Sequence, residues 1–140
     1  MALDRTTTPD SLIVGEYQTS TADPIRLVRY ELDYTTRKLK TDSATGVSKA
    51  VWAYCVNIER MQGAVSANGK FYLSRSNGAS KGDLWAWVPG GAAKQNAGFY
   101  PRSPEDLSYD KRNGGRLYTV TEAEGVRYII NSAVSSVSFA

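Results

Sequence analysis

The chain has no histidine among its 140 residues. Histidine is the usual base that activates a serine or cysteine nucleophile, and it is a common ligand of zinc, haem iron and copper. Its absence therefore excludes Ser-His-Asp and Cys-His catalysis, together with every metal site that depends on an imidazole.

Cysteine is almost absent as well. Cys55 is the one cysteine of the chain, so no internal disulfide can form. It lies in the strand-like run 51–56. This context predicts a small buried hydrophobic side chain rather than a catalytic thiol, which would need a base beside it.

Long apolar runs and clustered charges are also lacking. No segment approaches the length of a membrane span, and residues 1–5 lack the apolar core of a signal peptide. The net charge is +3, and lysine and arginine alternate with acidic residues along the chain. A nucleic-acid site needs a clustered basic stripe, so we expect neither nucleic acid nor a membrane as a partner.

What the chain does contain is an internal repeat rich in tyrosine. Each unit predicts a strand, a turn with glycine, a second strand with tyrosine in its second place, and then an aromatic strand. The three strands of the clearest units lie at residues 61–66, 71–76 and 84–88, and at residues 104–109, 117–122 and 126–130. A period of about 40–50 residues with three or four strands is typical of a β-propeller.

An earlier unit is less complete. Residues 11–17 and 25–32 predict strands, but residues 4–10 read as a polar loop, so no inner strand precedes Ser11. The tail at residues 134–139 predicts a strand without a partner. We expect this tail to supply the missing strand of the first unit, in the same chain or in a neighbouring one, because exposed sheet edges are usually covered.

Several segments carry a resemblance to a known group of proteins. TPDSLIVGEY at residues 8–17, MQG at 61–63, KFYLS at 70–74 and PEDLSY at 104–109 occur in this order. Together they resemble the C-terminal part of secreted β-propeller-like proteins from filamentous actinobacteria and fungi, many of which have no assigned function. The likeness covers about residues 4–137, and it implies an extracellular parent protein. The blade rhythm is more distantly similar to that of calcium-dependent six-bladed lactonases, whose metal ligands have no residue-by-residue match here.

These observations predict one all-β domain over residues 1–140, built from about three propeller-like blades. The approximate blades are residues 4–49, 50–100 and 101–140. Closed propellers need four or more blades, so a half propeller leaves two faces uncovered. We expect a homodimer that completes a six-bladed ring, or a chain cut from a larger propeller.

Oxygen-bearing side chains mark the starts of the predicted inner strands. Asp10, Gln62, Glu105 and Asp106 would converge around the ring axis and form a ligand site at the channel mouth. Carboxylates are the ligands that Ca²⁺ prefers, with Glu105 and Asp106 as the candidate metal ligands, and they can serve as acid and base. The alternative is that Glu105 and Asp106 cap turns or pair with Arg102 and Lys111.

Aromatic residues offer a second candidate site. Trp52, Tyr54, Trp85, Trp87 and Tyr100 could form a platform for sugar stacking. Trp85 and Trp87 are two residues apart and so share one face of a strand. The favoured interpretation is that these rings pack between neighbouring blades.

Three functions remain open at this point. The first is a noncatalytic extracellular binding or scaffold domain, for a carbohydrate or a peptide. The second is a hydrolase similar to the lactonases that uses a divalent cation at the channel mouth. The third is a purely structural unit that assembles with itself.

Overall fold

The chain forms four separate antiparallel sheets. The computed structural model describes residues 1–137 and 139, and the strands within this part are all antiparallel to their neighbours. The first sheet contains four strands in the order β1 (Ala2–Asp4), β2 (Ser11–Gly15), β3 (Arg26–Tyr30) and β6 (Trp52–Cys55). Between β3 and β6 in the chain, β4 (Leu32–Asp33) and β5 (Lys38–Leu39) form a small separate hairpin.

Two further sheets follow in chain order. The middle sheet contains β7 (Met61–Ala67), β8 (Lys70–Asn77), β9 (Ser80–Trp87) and β10 (Lys94–Arg102). The third sheet contains β11 (Pro104–Asp110), β12 (Arg116–Thr121) and β13 (Ile129–Ala133). Each of these two sheets is a meander of consecutive strands, and the first sheet follows the same order except that the β4–β5 hairpin is inserted before β6. The described elements are strands apart from one 3-10 turn, which confirms the all-β prediction.

The middle sheet is buried on both faces. Nearly every residue of β7 and most residues of β8 and β9 are buried. In β2 and β12, by contrast, buried residues alternate with more exposed ones. Because successive side chains of a strand point to opposite faces, the middle sheet lies between the other two sheets, each of which has one covered face.

Two apolar clusters hold these layers together. Ile13, Leu27, Phe71, Leu73 and Trp87 belong to the cluster between the first and middle sheets. The cluster between the middle and third sheets includes Val65, Leu84, Tyr100, Leu107 and Leu117. Complete burial of a large apolar side chain contributes about 1.5–3 kcal/mol, so these clusters are the main source of stability.

The three sheets approach each other most closely at their first strands, since β7 lies beside β1, β2 and β11. A Cβ atom on Gly63 would lie 2.3 Å from the backbone nitrogen of Leu107, so only glycine fits between β7 and β11. The Ser66 hydroxyl accepts a hydrogen bond of 2.6 Å from the Arg5 backbone N–H. The Ser74 hydroxyl donates one of 2.7 Å to the Glu105 carbonyl. Glycine and serine therefore set the spacing between the sheets.

The turns follow the sequence prediction where asparagine and glycine are adjacent. Asn68 and Gly69 both have positive φ angles, 52° and 74°, as a two-residue type I′ hairpin requires. The turn after β11 likewise holds Asn113, Gly114 and Gly115 at positive φ.

Other local predictions were wrong. A strand, β1, does precede Ser11, and it pairs with β2 from Ala2 to Asp4. The tail forms a 3-10 turn at Val134–Ser136 instead of a strand, while Ser138 lies outside the described residues. Val134 packs against the cluster between the middle and third sheets, so the tail covers a sheet face and does not extend the first sheet.

Sheet boundaries also differ from the predicted blades. The strand β6 pairs with β3, so the first sheet extends to Cys55 and the boundary at residues 49 and 50 cuts through it. The third strand of the last unit begins at Ile129 rather than at residue 126. Cys55 is exposed, contrary to the expectation of burial, because it lies on the uncovered face of the first sheet.

No helix in the described part of the chain is long and apolar enough to cross a lipid bilayer.

Candidate ligand groove

The four predicted channel residues do not all lie together. Asp10 lines a cavity of about 270 Å³ next to Arg29 and Lys40, whereas Asp106 lines a different cavity, beside Met1. Asp10 is separated from the other candidates because β1, not β2, is the first strand of the first sheet. Since β2 is antiparallel to β1, Asp10, which directly precedes β2, lies at the edge of the sheet where β1 ends. Gln62 and Glu105 lie where β7 and β11 begin.

The neighbouring carboxylates Glu105 and Asp106 have different surroundings. Glu105 is partly buried beside Glu122, and burial followed by the negative charge of Glu122 raises the pKa of Glu105. Asp106 is 60% exposed and lies 3.5 Å from the amino group of Met1. Within residues 1–137 and 139, no group of three or more acidic or cysteine side chains is placed to hold a metal ion.

The predicted aromatic residues do meet, and they meet between sheets. The ring centroid of Tyr54 lies 5.1 Å from that of Trp87, and Trp52 lies 6.1 Å from Phe71. Trp87 is 5% exposed, and its indole N–H donates to the Gly91 carbonyl at 3.0 Å. These contacts join β6 of the first sheet to β8 and β9 of the middle sheet.

The remaining aromatic candidates are also part of the packing. Trp85 packs against the same cluster as Trp87, as expected from their shared strand face. Tyr100 is 2% exposed, and burial raises the pKa of its phenol. Below Trp52, the Arg29 guanidinium lies 4.5 Å from the ring centroid and forms a 2.8 Å ion pair with the buried Asp4. The aromatic rings therefore stabilise the contact between sheets.

A groove that sequence reasoning did not identify follows the first strands. Two adjoining cavities, of about 310 Å³ and 560 Å³, share Arg5, Ser108 and Tyr109 in their linings. One cavity extends along β1, β7 and β11 toward Asp106, and the other extends past Asp110 to Tyr118. We call this continuous surface the first-strand groove.

Tyrosine rings and basic side chains give the groove its chemistry. Gly115 has φ of +85°, and a Cβ atom there would lie 2.7 Å from the Tyr109 hydroxyl, so Tyr109 lies directly against this turn. Arg112 bonds to Asp110 at 2.7 Å, and this contact lowers the pKa of Asp110 to about 2. Among the ion pairs of the described residues, neither Arg5 nor Lys111 takes part. The groove thus presents two cationic side chains without a carboxylate partner.

Only Asp106 of the predicted site residues lines this groove. The signal that could have indicated the groove is the turn after β11, where Tyr109 and Lys111 directly precede three consecutive residues with positive φ angles. Strand pairing was also needed, because Arg5 and Tyr109 are far apart in the chain. Comparisons with protein-family models, with curated proteins and with solved structures give no significant match.

Proposed function

We propose that the protein is a noncatalytic binding scaffold that acts outside the cell, built as half of a propeller-like ring. Its ligand site is the first-strand groove, and its ligand is a carbohydrate or a peptide. The observation that carries this proposal is the groove itself, which extends over the first strands of all three large sheets.

The propeller-like architecture is supported by how the sheets follow one another. The middle and third sheets are meanders of consecutive strands, the first sheet is a meander interrupted by the β4–β5 hairpin, and β7 lies beside both β1 and β11. Met1 contacts Asp106 near the start of β11, while Arg5 contacts Ser66 near the end of β7. The first strands therefore run in the same direction, as the inner strands of propeller blades do.

The choice of ligand follows from the side chains in the groove. Tyr109 and Tyr118 offer flat apolar faces with polar hydroxyls, which suit the stacking of a sugar ring or a peptide side chain. Arg5 and Lys111 can donate hydrogen bonds to hydroxyl, carbonyl or carboxylate oxygens. A groove made of two adjoining cavities suits an extended chain better than a compact small molecule.

A cation-dependent hydrolase is the second candidate, with Asp106 as the carboxylate ligand of Ca²⁺ and Glu105 as the general acid. The observation in its favour is the raised pKa of Glu105, because a carboxyl that holds its proton can act as a general acid. This function predicts that a chelator lowers the melting temperature and that Glu105→Ala abolishes hydrolysis of an ester or lactone. The binding scaffold predicts neither effect.

Ligand arrays followed by calorimetry test the binding function. The chain is first applied to glycan and peptide arrays, and the best ligand is then titrated against Tyr109→Ala. Loss of a stacked aromatic ring should weaken binding by about 0.5–1.5 kcal/mol, or roughly two- to ten-fold. Tyr17→Ala is the matched control, since Tyr17 is 56% exposed and outside the groove. Equal affinity of both variants would contradict the proposed site.

A further inference from the structure

The outer face of the first sheet is mainly apolar, with the Arg26–Glu16 ion pair at one end, and its apolar residues are not buried by the described chain. Side chains alternate between faces, and Leu3, Leu12 and Tyr30 are paired across β1, β2 and β3. Val14, Val28 and Ala53 form the next row across β2, β3 and β6. All six lie on the face opposite the buried Ile13 and Leu27, and all six are partly or fully exposed.

The third sheet also has an uncovered outer face with exposed apolar residues. Val120 of β12 is directly opposite Ile129 of β13, and these side chains are 45% and 80% exposed. Together with Tyr118 they line a shallow, mainly apolar depression of about 180 Å³. The two outer faces lie at opposite ends of the three-sheet stack, because the middle sheet separates them.

The first-sheet face and the part of the third-sheet face at Val120 and Ile129 are unusual for sheets that contact water. The rest of the third-sheet face carries polar side chains, namely Ser108, Asp110, Arg116 and Asn131. The outer face of an antiparallel sheet normally carries polar residues in alternation with the buried apolar ones. Contiguous exposed apolar patches generally mark an interaction surface. Within this chain, the equivalent apolar faces of the middle sheet are covered by neighbouring sheets, so the same type of contact would suit the two outer faces.

We propose that a second copy of the chain covers both faces. The third sheet of each copy packs on the first sheet of the other copy, and the two identical contacts are related by a two-fold axis. This arrangement stacks six sheets into a closed ring and leaves no apolar outer face in water. The two contacts include Leu3 and Tyr118, which also line the first-strand groove. In the dimer, Tyr109 rather than Tyr118 is therefore the ring available to a ligand in the groove.

A second copy is the partner that fits both surfaces, because each copy carries one outer first-sheet face and one outer third-sheet face. A partner that covers the first sheet alone would leave Val120 and Ile129 exposed, whereas two copies in this arrangement cover all four faces at once. Contacts between two different patches either close into a ring or continue into a filament. Closure after two copies follows if each three-sheet stack spans about half a turn, as blades of a six-bladed ring do.

The area available is sufficient for a stable dimer. Strands spaced about 4.8 Å apart, with a rise of about 3.3 Å per residue, give the first-sheet face roughly 300 Å² and the third-sheet face roughly 250 Å². Both copies together therefore bury about 1,100 Å² of projected area, and accessible surface exceeds projected area. A specific interface needs about 1,000 Å².

Light scattering on a sizing column tests this arrangement. The wild-type chain of 15.3 kDa should elute with twice its monomer mass at concentrations above roughly 1 µM. Val28→Asp and Ile129→Lys should each halve the observed mass, because each change places a charge in both contacts. Val47→Asp is the control, since Val47 is 53% exposed and lies on neither face. Circular dichroism verifies that each variant is folded.

Mixing the two monomeric variants discriminates between modes of pairing. In a mixed dimer, one contact combines the aspartate with the lysine and the other contact is entirely wild type, so an equimolar mixture should recover the dimer mass. If the first sheets paired with each other, Ile129→Lys alone would remain a dimer. Mixing would then convert none of the Val28→Asp monomer into dimer. That result, or a wild-type monomer at all concentrations, would overturn the proposal.

The native thiol gives a second measurement that needs no introduced labelling site. Cys55 is exposed and lies in β6 on the outer face of the first sheet, opposite Arg26. Its reaction with a maleimide should slow as the wild-type concentration rises through the dimerisation range, and it should stay fast in Ile129→Lys. A labelling rate independent of concentration in the wild-type chain would contradict coverage of this face.

Discussion

The contact between β7 and β11 can be tested at a single atom. In Gly63→Ala the added Cβ would lie 2.3 Å from the Leu107 nitrogen and 2.7 Å from the Asp106 carbonyl carbon. Both neighbours are backbone atoms, so no side-chain rotation relieves the overlap. Ordinary van der Waals contact begins at 3.4 Å, and β11 must therefore move by about 1 Å relative to β7.

The expected cost combines overpacking and lost hydrogen bonding. Overpacking a filled interior costs about 1–3 kcal/mol. A shift of β11 also stretches the 2.7 Å bond from Ser74 to the Glu105 carbonyl, which contributes about 1 kcal/mol. We expect Gly63→Ala to lower the free energy of unfolding by about 3 kcal/mol, which corresponds to a fall in melting temperature of roughly 10 °C.

Urea denaturation followed by circular dichroism measures this change. Gly91→Ala is the matched control, because a Cβ atom at Gly91 meets only the Val88 carbonyl oxygen, at 3.3 Å, and its φ angle is not positive. Its effect should stay within about 0.5 kcal/mol. A similarly small effect of Gly63→Ala would refute the close approach of β7 and β11, and with it the stacking of the first strands.

Three further predictions concern packing and ionisation. Trp87→Ala should destabilise the fold by about 3–5 kcal/mol in urea denaturation, because a buried aromatic ring leaves a cavity; a change below about 1 kcal/mol would contradict its burial. Glu105→Gln should stabilise the fold at neutral pH but not well below its ordinary pKa of 4.5. The raised pKa makes the ionised form unfavourable in the folded state, so this destabilisation exists only above that pH; an equal effect at both pH values would argue against it. Arg112→Gln should return the pKa of Asp110 from about 2 toward its ordinary value, measured by carbon-13 NMR titration, and an unchanged titration would show that the pair does not form.

Local chemistry made the turns and strands predictable. Asn68 and Gly69 tolerate positive φ without strain, so the hairpin between β7 and β8 could be recognised from two residues. The strands β2, β3 and β12 were likewise predicted at residues 11–17, 25–32 and 117–122, and the spacing of Trp85 and Trp87 placed them on one face. These features depend on neighbouring residues only.

Long-range pairing defeated the other predictions. The three residues Ala2–Asp4 are too short to be recognised as a strand, and they become β1 because β2 offers an edge at Leu12 and Ile13. Trp52–Cys55 read as the start of a second unit, but its hydrogen bonds go to β3. The tail from Val134 is rich in valine and serine, yet packing against the middle and third sheets holds it in a 3-10 turn.

The sequence by itself determined that the protein is all-β, that its strands follow one another in repeated meanders, and that imidazole chemistry is absent. These properties depend on residue type and on periodicity along the chain. Only the tertiary structure decided that Arg5 lies in one groove with Tyr109, that Glu105 and Asp106 have different neighbours, and that Cys55 is exposed. The physical reason is that a strand has two faces and two edges, and their neighbours are chosen by packing among sheets distant in sequence.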